Sequence, residues 1–309
     1  GFIKTNPIQG RLKFSNVSTK IFDLVNRDFG FDLSGNIFGE VSIGQDLNPD
    51  DVSLDITLKN GKIASQSFDD FYISSLYRDG ILHLEDLTLT AGEKTGLQVA
   101  GTFPIRADST KHTRVDIQSS FKNVDLRIFT QFVPKWNSLI FGQFTGNFNM
   151  GGTTHKTQFD LNGKIDNAFF GPIPLGTVTG KGHYSNKGLQ FNQISSTWNG
   201  NHITVEASLP LDLDITSPNA QEWQPGGELS VKTKGNIQSA VFLSEFLVET
   251  DSIIGDIKVS LDISGPPNNL MRNGSIQIKN GEIYSVLMDE PVRKIFTTAT
   301  LQDNQLSII

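Results

Sequence analysis

The chain has 309 residues, with 26 Lys and Arg against 33 Asp and Glu, and its net charge of −7 lacks the clustered basic residues that a nucleic-acid partner demands. With no cysteine it has no disulfide scaffold, thiol nucleophile or cysteine metal site, and no stretch approaches the roughly 18 apolar residues of a spanning helix. Apolar residues make up only 37%, yet there are 22 Phe and 29 Gly, a balance that suits strands with one wet and one dry face.

The chain opens with a strand over Gly10–Phe14 that runs into Phe14-Ser15-Asn16-Val17-Ser18-Thr19-Lys20-Ile21-Phe22. Ile21, Phe22, Val25 and Phe29 then recur at helical spacing, with Ser18 placed as N-cap. After this helix the period drops to two. Ile37, Val41 and Ile43 alternate with polar residues around Gly39, and Val52, Leu54, Ile56 and Leu58 lead into Asn60-Gly61-Lys62-Ile63. Asn-Gly tolerates positive φ at both residues, so this pair predicts a hairpin turn. Leu82, Leu84, Leu87 and Leu89 follow, and the break in their alternation predicts a bulge at Glu85-Asp86. Leu97, Val99 and Phe103 close the unit.

The same series then begins again. Val115–Phe121 runs into Phe121-Lys122-Asn123-Val124-Asp125-Leu126-Arg127-Ile128-Phe129, and a helix is expected over Ile128–Trp136, with Asp125 as N-cap and Pro134 ending or kinking it. Phe144, Phe148 and Met150 follow, then Phe159 and Leu161 before Asn162-Gly163-Lys164-Ile165, then Leu189, Phe191, Ile203 and Val205. A looser third copy starts at Glu228–Thr233 and Lys234-Gly235-Asn236, with its helix over Val241–Leu247. Its strands carry Ile257, Val259, Leu261 and Ile263, then Ile276 and Ile278 before Asn280-Gly281-Glu282-Ile283.

The anchors Asn16, Asn123 and Asn236 are 107 and 113 residues apart, and Gly35, Gly142 and Gly255 each lie 19 residues beyond their anchor. The copies are bounded as 1–112 (with the tail of a preceding unit), 113–225 and 226–309, the last stopping before its closing strands, which reads as a piece of something longer. One supersecondary unit is being stacked. The expected fold is mostly β with short helices, an elongated array of about five antiparallel strands per copy. The alternating apolar residues named in each copy would line one dry face. A closed core would consume that face, but repetition along one direction favours a continuous apolar groove.

No reacting constellation is visible. His83, His112, His155, His183 and His202 are scattered without metal-ligand spacing. Gly180-Lys181-Gly182 lacks a dinucleotide fingerprint, Ala91–Gly96 lacks the Gly-Lys-Thr order of a phosphate loop, and Gly151–His155 reads as a hairpin connection. The neighbouring carboxylates Asp50-Asp51, Asp69-Asp70 and Glu85-Asp86 read as solvated turns, since strand neighbours point to opposite faces. No enzyme activity and no cofactor are expected.

The Gly-punctuated alternating strands of Leu33–Gly44, Asp51–Ile63, Ile81–Ile105 and Ile276–Ile309, with Met288-Asp289-Glu290-Pro291-Val292-Arg293-Lys294-Ile295, resemble the AsmA-like superfamily, most nearly its TamB-like proteins. That resemblance implies a taco-shaped curled sheet holding phospholipid acyl chains in an apolar groove. It further implies a periplasmic segment of a bridge between the two membranes, an inner-membrane anchor outside these residues, and an outer-membrane barrel partner. The different expectation from the residues alone is a structural or adhesive β-repeat stalk with a closed core. A weaker third is a polysaccharide-active solenoid, which would need clustered carboxylates and aromatics.

Overall fold

A computed structural model describes residues 9–20, 33–44, 51–63, 66–105, 113–130, 140–212, 222–223, 226–240, 252–285, 287–303 and 305–308. Within them the chain is almost entirely antiparallel β, with very little helix. It divides into two compact units, Gly1–Asn137 with Gln143–Phe159, and Ser138–Gly142 with Asp160–Ile309. This division falls inside the second sequence copy and does not follow the repeat boundaries.

In the first unit, β1 (Gly10–Ser18), β2 (Leu33–Ile43), β3 (Val52–Ile63), β4 (Gln66–Arg78), β5 (Ile81–Ala91), β6 (Thr95–Pro104), β7 (Asp116–Asp125) and β8 (Ile140–Thr153) pair antiparallel in chain order. A single helical turn, α1 (Arg127–Thr130), follows β7, and both β8, whose first three residues belong to the second unit, and β9 (Lys156–Phe170) cross the boundary between the units. The second unit continues with β10 (Ile173–Ser185), β11 (Gly188–Trp198) and β12 (Asn201–Leu209). After a small ribbon of β13 (Leu211–Asp212) and β14 (Glu222–Trp223) come β15 (Leu229–Ser239), β16 (Ser252–Gly265), β17 (Met271–Tyr284), β18 (Val292–Gln302) and β19 (Gln305–Ile308). β15 pairs with β12, and pairing then again follows chain order. Each full copy is thus one opening strand and five more, two of which, β4 and β10, have no counterpart in the sequence reading.

The expected helices at Ile21–Phe29 and Val241–Leu247 lie outside the described residues, as does 131–136 of the second. At α1 the expected cap is made, and Ser18 makes a similar bond before residues that are not described. Asp125 Oδ1 accepts from the Arg127 main-chain N–H at 2.9 Å, and Ser18 Oγ accepts from that of Lys20 at 3.3 Å. The Arg127 guanidinium also pairs with the Asp125 carboxylate. Burial alone would raise the Asp125 carboxyl, but the hydrogen bonds and charge of Arg127 outweigh it and hold the group below its ordinary value. With the folded value depressed, this contribution is complete above the unfolded value near ~3.9 and is lost as pH falls through the folded one. Asp125→Ala should therefore cost about 1 kcal/mol at neutral pH, and the gap to the parent should close in acid. Urea midpoints at the two pH values test this, and a gap that survives in acid would assign the residue to packing alone.

The Asn-Gly pairs are not hairpin turns. They lie inside β3, β9 and β17. Asn60-Gly61 forms a bulge opposite Gly35, between the pairs Ser34↔Lys62 and Asn36↔Lys59, with Asn60 at φ 50°. Asn280-Gly281 repeats this opposite Gly255, with Asn280 at φ 51°. In the second copy the position belongs to Asn167-Ala168 and not to Asn162-Gly163, since Asn167 has φ 50° and a Cβ on Gly142 would meet Asp166 and Ala168. The reason is register. Gly35–Asn60, Gly142–Asn167 and Gly255–Asn280 are each separated by 25 residues, so the bulge keeps its place while the Asn-Gly dipeptide does not. The expected bulge at Glu85-Asp86 is present opposite Ala100, and its second-copy counterpart is Asn192-Gln193 opposite Glu206.

Candidate apolar binding surface

Residues directly opposite one another in antiparallel strands project from the same face, so register alone sorts the side chains. In the first unit four rows run across the strands on one face. Ile37, Leu58, Phe71, Leu89, Leu97 and Phe121 form the first, each paired with the next. The second joins Phe14, Gly39, Ile56, Ile73, Leu87, Val99, Ser119 and Phe148. The third carries Val41, Leu54 and, after Ser75 and Leu84, Gly101, Ile117 and Met150. The fourth holds Ile43, Val52, Tyr77, Leu82 and Phe103. Phe144 stands opposite Val124 beyond the first row, and the Phe159 ring lies 5.4 Å from that of Phe148.

The second unit repeats the scheme. Ile237, Ile257 and Ile278 form one row, and Ile203, Gly235, Val259 and Ile276 the next. Ile194, Val205, Thr233 and Leu261 make a third, and Phe191, Ala207, Val231 and Ile263 a fourth. Leu161 lies beside Gly182, which faces Phe191. Register thus places the sequence-predicted residues of the paired strands on one face within each unit.

Large residues there are matched by small ones. Phe14 faces Gly39, Phe121 faces Gly146, and in the third copy the roles reverse, with Gly235 facing Val259. The exchange conserves local volume, which explains why the glycine need not stay on the same strand. Gly39 has φ 123°, and an added Cβ would stand 2.0 Å from the Asp55 carbonyl oxygen, so no side chain fits.

Burial is uneven across the face. Ile37, Ile56, Leu58, Phe68 and Leu89 form a buried cluster, and Ile237, Ala240, Ile253 and Ile257 another. Val41, Leu54 and Leu97, packed against the first cluster, are only half-buried, as are Val99, Val205 and Leu261. Ile43 and Phe103 are 36% exposed and Ile276 is 45% exposed. A closed sheet-on-sheet core would bury both inner faces with interdigitating side chains. These rows combine fully buried positions such as Leu89, 1% exposed, with partly exposed ones.

The opposite face is wet. Thr57, Tyr72, Thr88, Gln98, Ser120 and Asn147 stand opposite one another in sequence along it. Arg11 and Lys13 pair with Glu40 on this side.

The paired carboxylates are not all solvated turns. Asp69-Asp70 and Glu85-Asp86 lie within β4 and β5. The Asp51 side chain is 2% exposed and receives hydrogen bonds from Arg78 Nε and Nη2, both at 2.8 Å. Sequence reasoning also missed one contact of His183, whose Nδ1 lies 2.8 Å from Asp160 Oδ1 and whose Nε2 lies 3.1 Å from Ser185 Oγ. Asp160 and His183 are 23 residues apart, so only strand register could have shown their meeting. The His183 and Asp160 side chains are 43% and 71% exposed. Among the described residues no three His, Asp or Glu side chains gather as a metal site, and no helix is long and apolar enough to cross a membrane. Comparison of the chain with protein families, with curated proteins and with solved structures returns no match.

Proposed function

We propose that this chain is a non-catalytic segment of a bridge-like lipid-transfer protein, in which the apolar rows hold phospholipid acyl chains while the wet face meets the aqueous periplasm. The single observation that supports this reading is the continuity of the rows. In the first unit the longest row crosses eight strands, on the order of 35 Å at about 4.8 Å per strand. That exceeds the roughly 15 Å that one leaflet's chains occupy, so a tail finds equivalent apolar surface at each step of its path. At about 0.8 kcal/mol per buried CH₂, a tail of about fourteen methylenes gains on the order of 11 kcal/mol from leaving water. Equivalent sites spaced one strand apart let it move without giving up that gain. The AsmA-like resemblance agrees with this reading, in which the sheet would curl into a taco-shaped groove and an inner-membrane anchor and an outer-membrane barrel partner would complete the whole protein.

The test is what accompanies the protein. Native mass spectrometry and lipid extraction after purification from a diderm host should show bound phospholipid. Protein free of lipid, and unable to take up a fluorescent phospholipid from vesicles, would leave the structural stalk as the better reading.

A further inference from the structure

Opposite charges that face one another across the strands of the first unit pair on its wet side. Lys13 stands opposite Glu40 and lies 3.7 Å from it, and Lys59 stands opposite Asp70 at 3.8 Å. In the second unit Lys232 stands in register between two acids, Glu206 on β12 and Asp262 on β16, yet no ion pair joins it to either. A bulge lies beside this cation. Asn192-Gln193 sets two residues of β11 against Glu206, and a bulge bends its strand and increases the local twist. Here a depression of about 190 Å³ opens, bordered by Gln190, Asn192, Glu206, Ser208, Ser230 and Lys232, with Phe191 and Ala207 between them in sequence. Gln190, Ser208 and Ser230 stand opposite one another, and Glu206 and Lys232 do so two residues further along, so register puts these polar groups on one face. The four longer side chains are exposed and the two hydroxyls half-buried. Among the described residues no hydrogen bond or ion pair engages any of the six side chains.

We propose that this depression binds a neutral saccharide. Two primary amides and two hydroxyls each donate and accept, which is also what the hydroxyls of a sugar ring do. Glu206 adds an acceptor for neighbouring hydroxyls and Lys232 a donor, and their two charges cancel. An acidic ligand would meet Glu206, with Asp262 just beyond Lys232, and a basic ligand would meet Lys232. The set therefore favours an uncharged ligand, and the depression has room for one sugar ring. Phe191 stands opposite Ala207 in an apolar row, on the other face from these groups, so no aromatic ring stacks on the sugar. Binding through hydrogen bonds open to water is expected in the millimolar range.

The experiment titrates the intact, isotope-labelled 309-residue chain with glucose, N-acetylglucosamine, glucosamine and glucuronate, and follows main-chain amide shifts by NMR. At least one neutral sugar should shift the amides at 190–193, 206–208 and 230–232 and no others. Glucosamine and glucuronate should bind at least fivefold more weakly. Asn192→Ala and Glu206→Ala, both on exposed side chains and checked by unchanged hydrogen exchange in β11 and β12, should each weaken binding at least fivefold. Lys234→Ala, on the same face but outside the depression, should leave it unchanged. No shift with either neutral sugar, shifts elsewhere on the chain, an equal response to a charged sugar, or indifference to both Asn192→Ala and Glu206→Ala would each overturn the proposal. The lipid reading is untouched by any of these results, because it concerns the opposite face of the sheet.

Discussion

Phe148→Asp and Leu261→Asp are expected to reduce co-purifying phospholipid at least tenfold, while Asn147→Asp leaves it unchanged. Phe148 stands opposite Ser119 in the second apolar row, and Leu261 opposite Thr233 in the corresponding unit-two row. Asn147 is the next residue on the same strand but projects from the wet face, opposite Ser120. A carboxylate in the row must either stay hydrated, which brings water onto the tail's path, or lose that hydration, which costs several kcal/mol. Each 1.4 kcal/mol is a tenfold change in occupancy. Phe148→Asp and Asn147→Asp alter net charge equally on one strand, so a general electrostatic effect would touch both. Circular dichroism establishes that the variants fold, and lipid per protein is then read by mass spectrometry. Equal lipid content in all three would sink the conduit and leave a purely structural array.

Arg78→Ala is expected to destabilise the β3–β4 hairpin by about 3 kcal/mol or more, and Asp51→Asn by clearly less. The asymmetry follows from exposure. The Asp51 side chain is 2% exposed and that of Arg78 is 40% exposed. Removing the guanidinium deprives a carboxylate that water barely reaches of two charge-assisted hydrogen bonds, whereas removing the acid leaves a cation that water solvates. Since Val52 pairs with Tyr77, the two partners sit just past the end of that ladder, where they close the hairpin. Hydrogen exchange of the β3 and β4 amides reads the local loss directly, which suits a repeat array better than one global midpoint. A larger effect from Asp51→Asn would mean that packing around the acid, and not its charge, holds the site.

The bulges show how sequence signals mislead at close range. Asn-Gly predicts a two-residue hairpin because both residues accept positive φ, and that property is used at Asn60 and Asn280, but within a strand. Local preference specifies a conformation and leaves its context open. The context came from the neighbouring strand, where Gly35 and Gly255 leave room for the two-residue side of the bulge. In the second copy Ala168 serves where the others have Gly, so the invariant is the interval of 25 residues and not the dipeptide. Two whole strands were also illegible. β4 alternates Phe71 and Ile73 with Ser75 and then Tyr77 on its dry face, and β10 is rich in Gly and Thr, so neither shows the clean aliphatic alternation of its neighbours.

By itself the sequence determined the β class, the recurring pattern and the alternation of the strands that it made legible. Those follow from a spacing of two and from recurrence, both of which are properties of the chain read as a line. Only the tertiary structure decided which residues stand opposite one another. Register joined the separate stripes into four continuous rows and brought Asp51 to Arg78 and Asp160 to His183. The physical reason is that strand pairing is made by main-chain hydrogen bonds common to every residue, so the choice of partner residue is fixed by bulges and packing across strands.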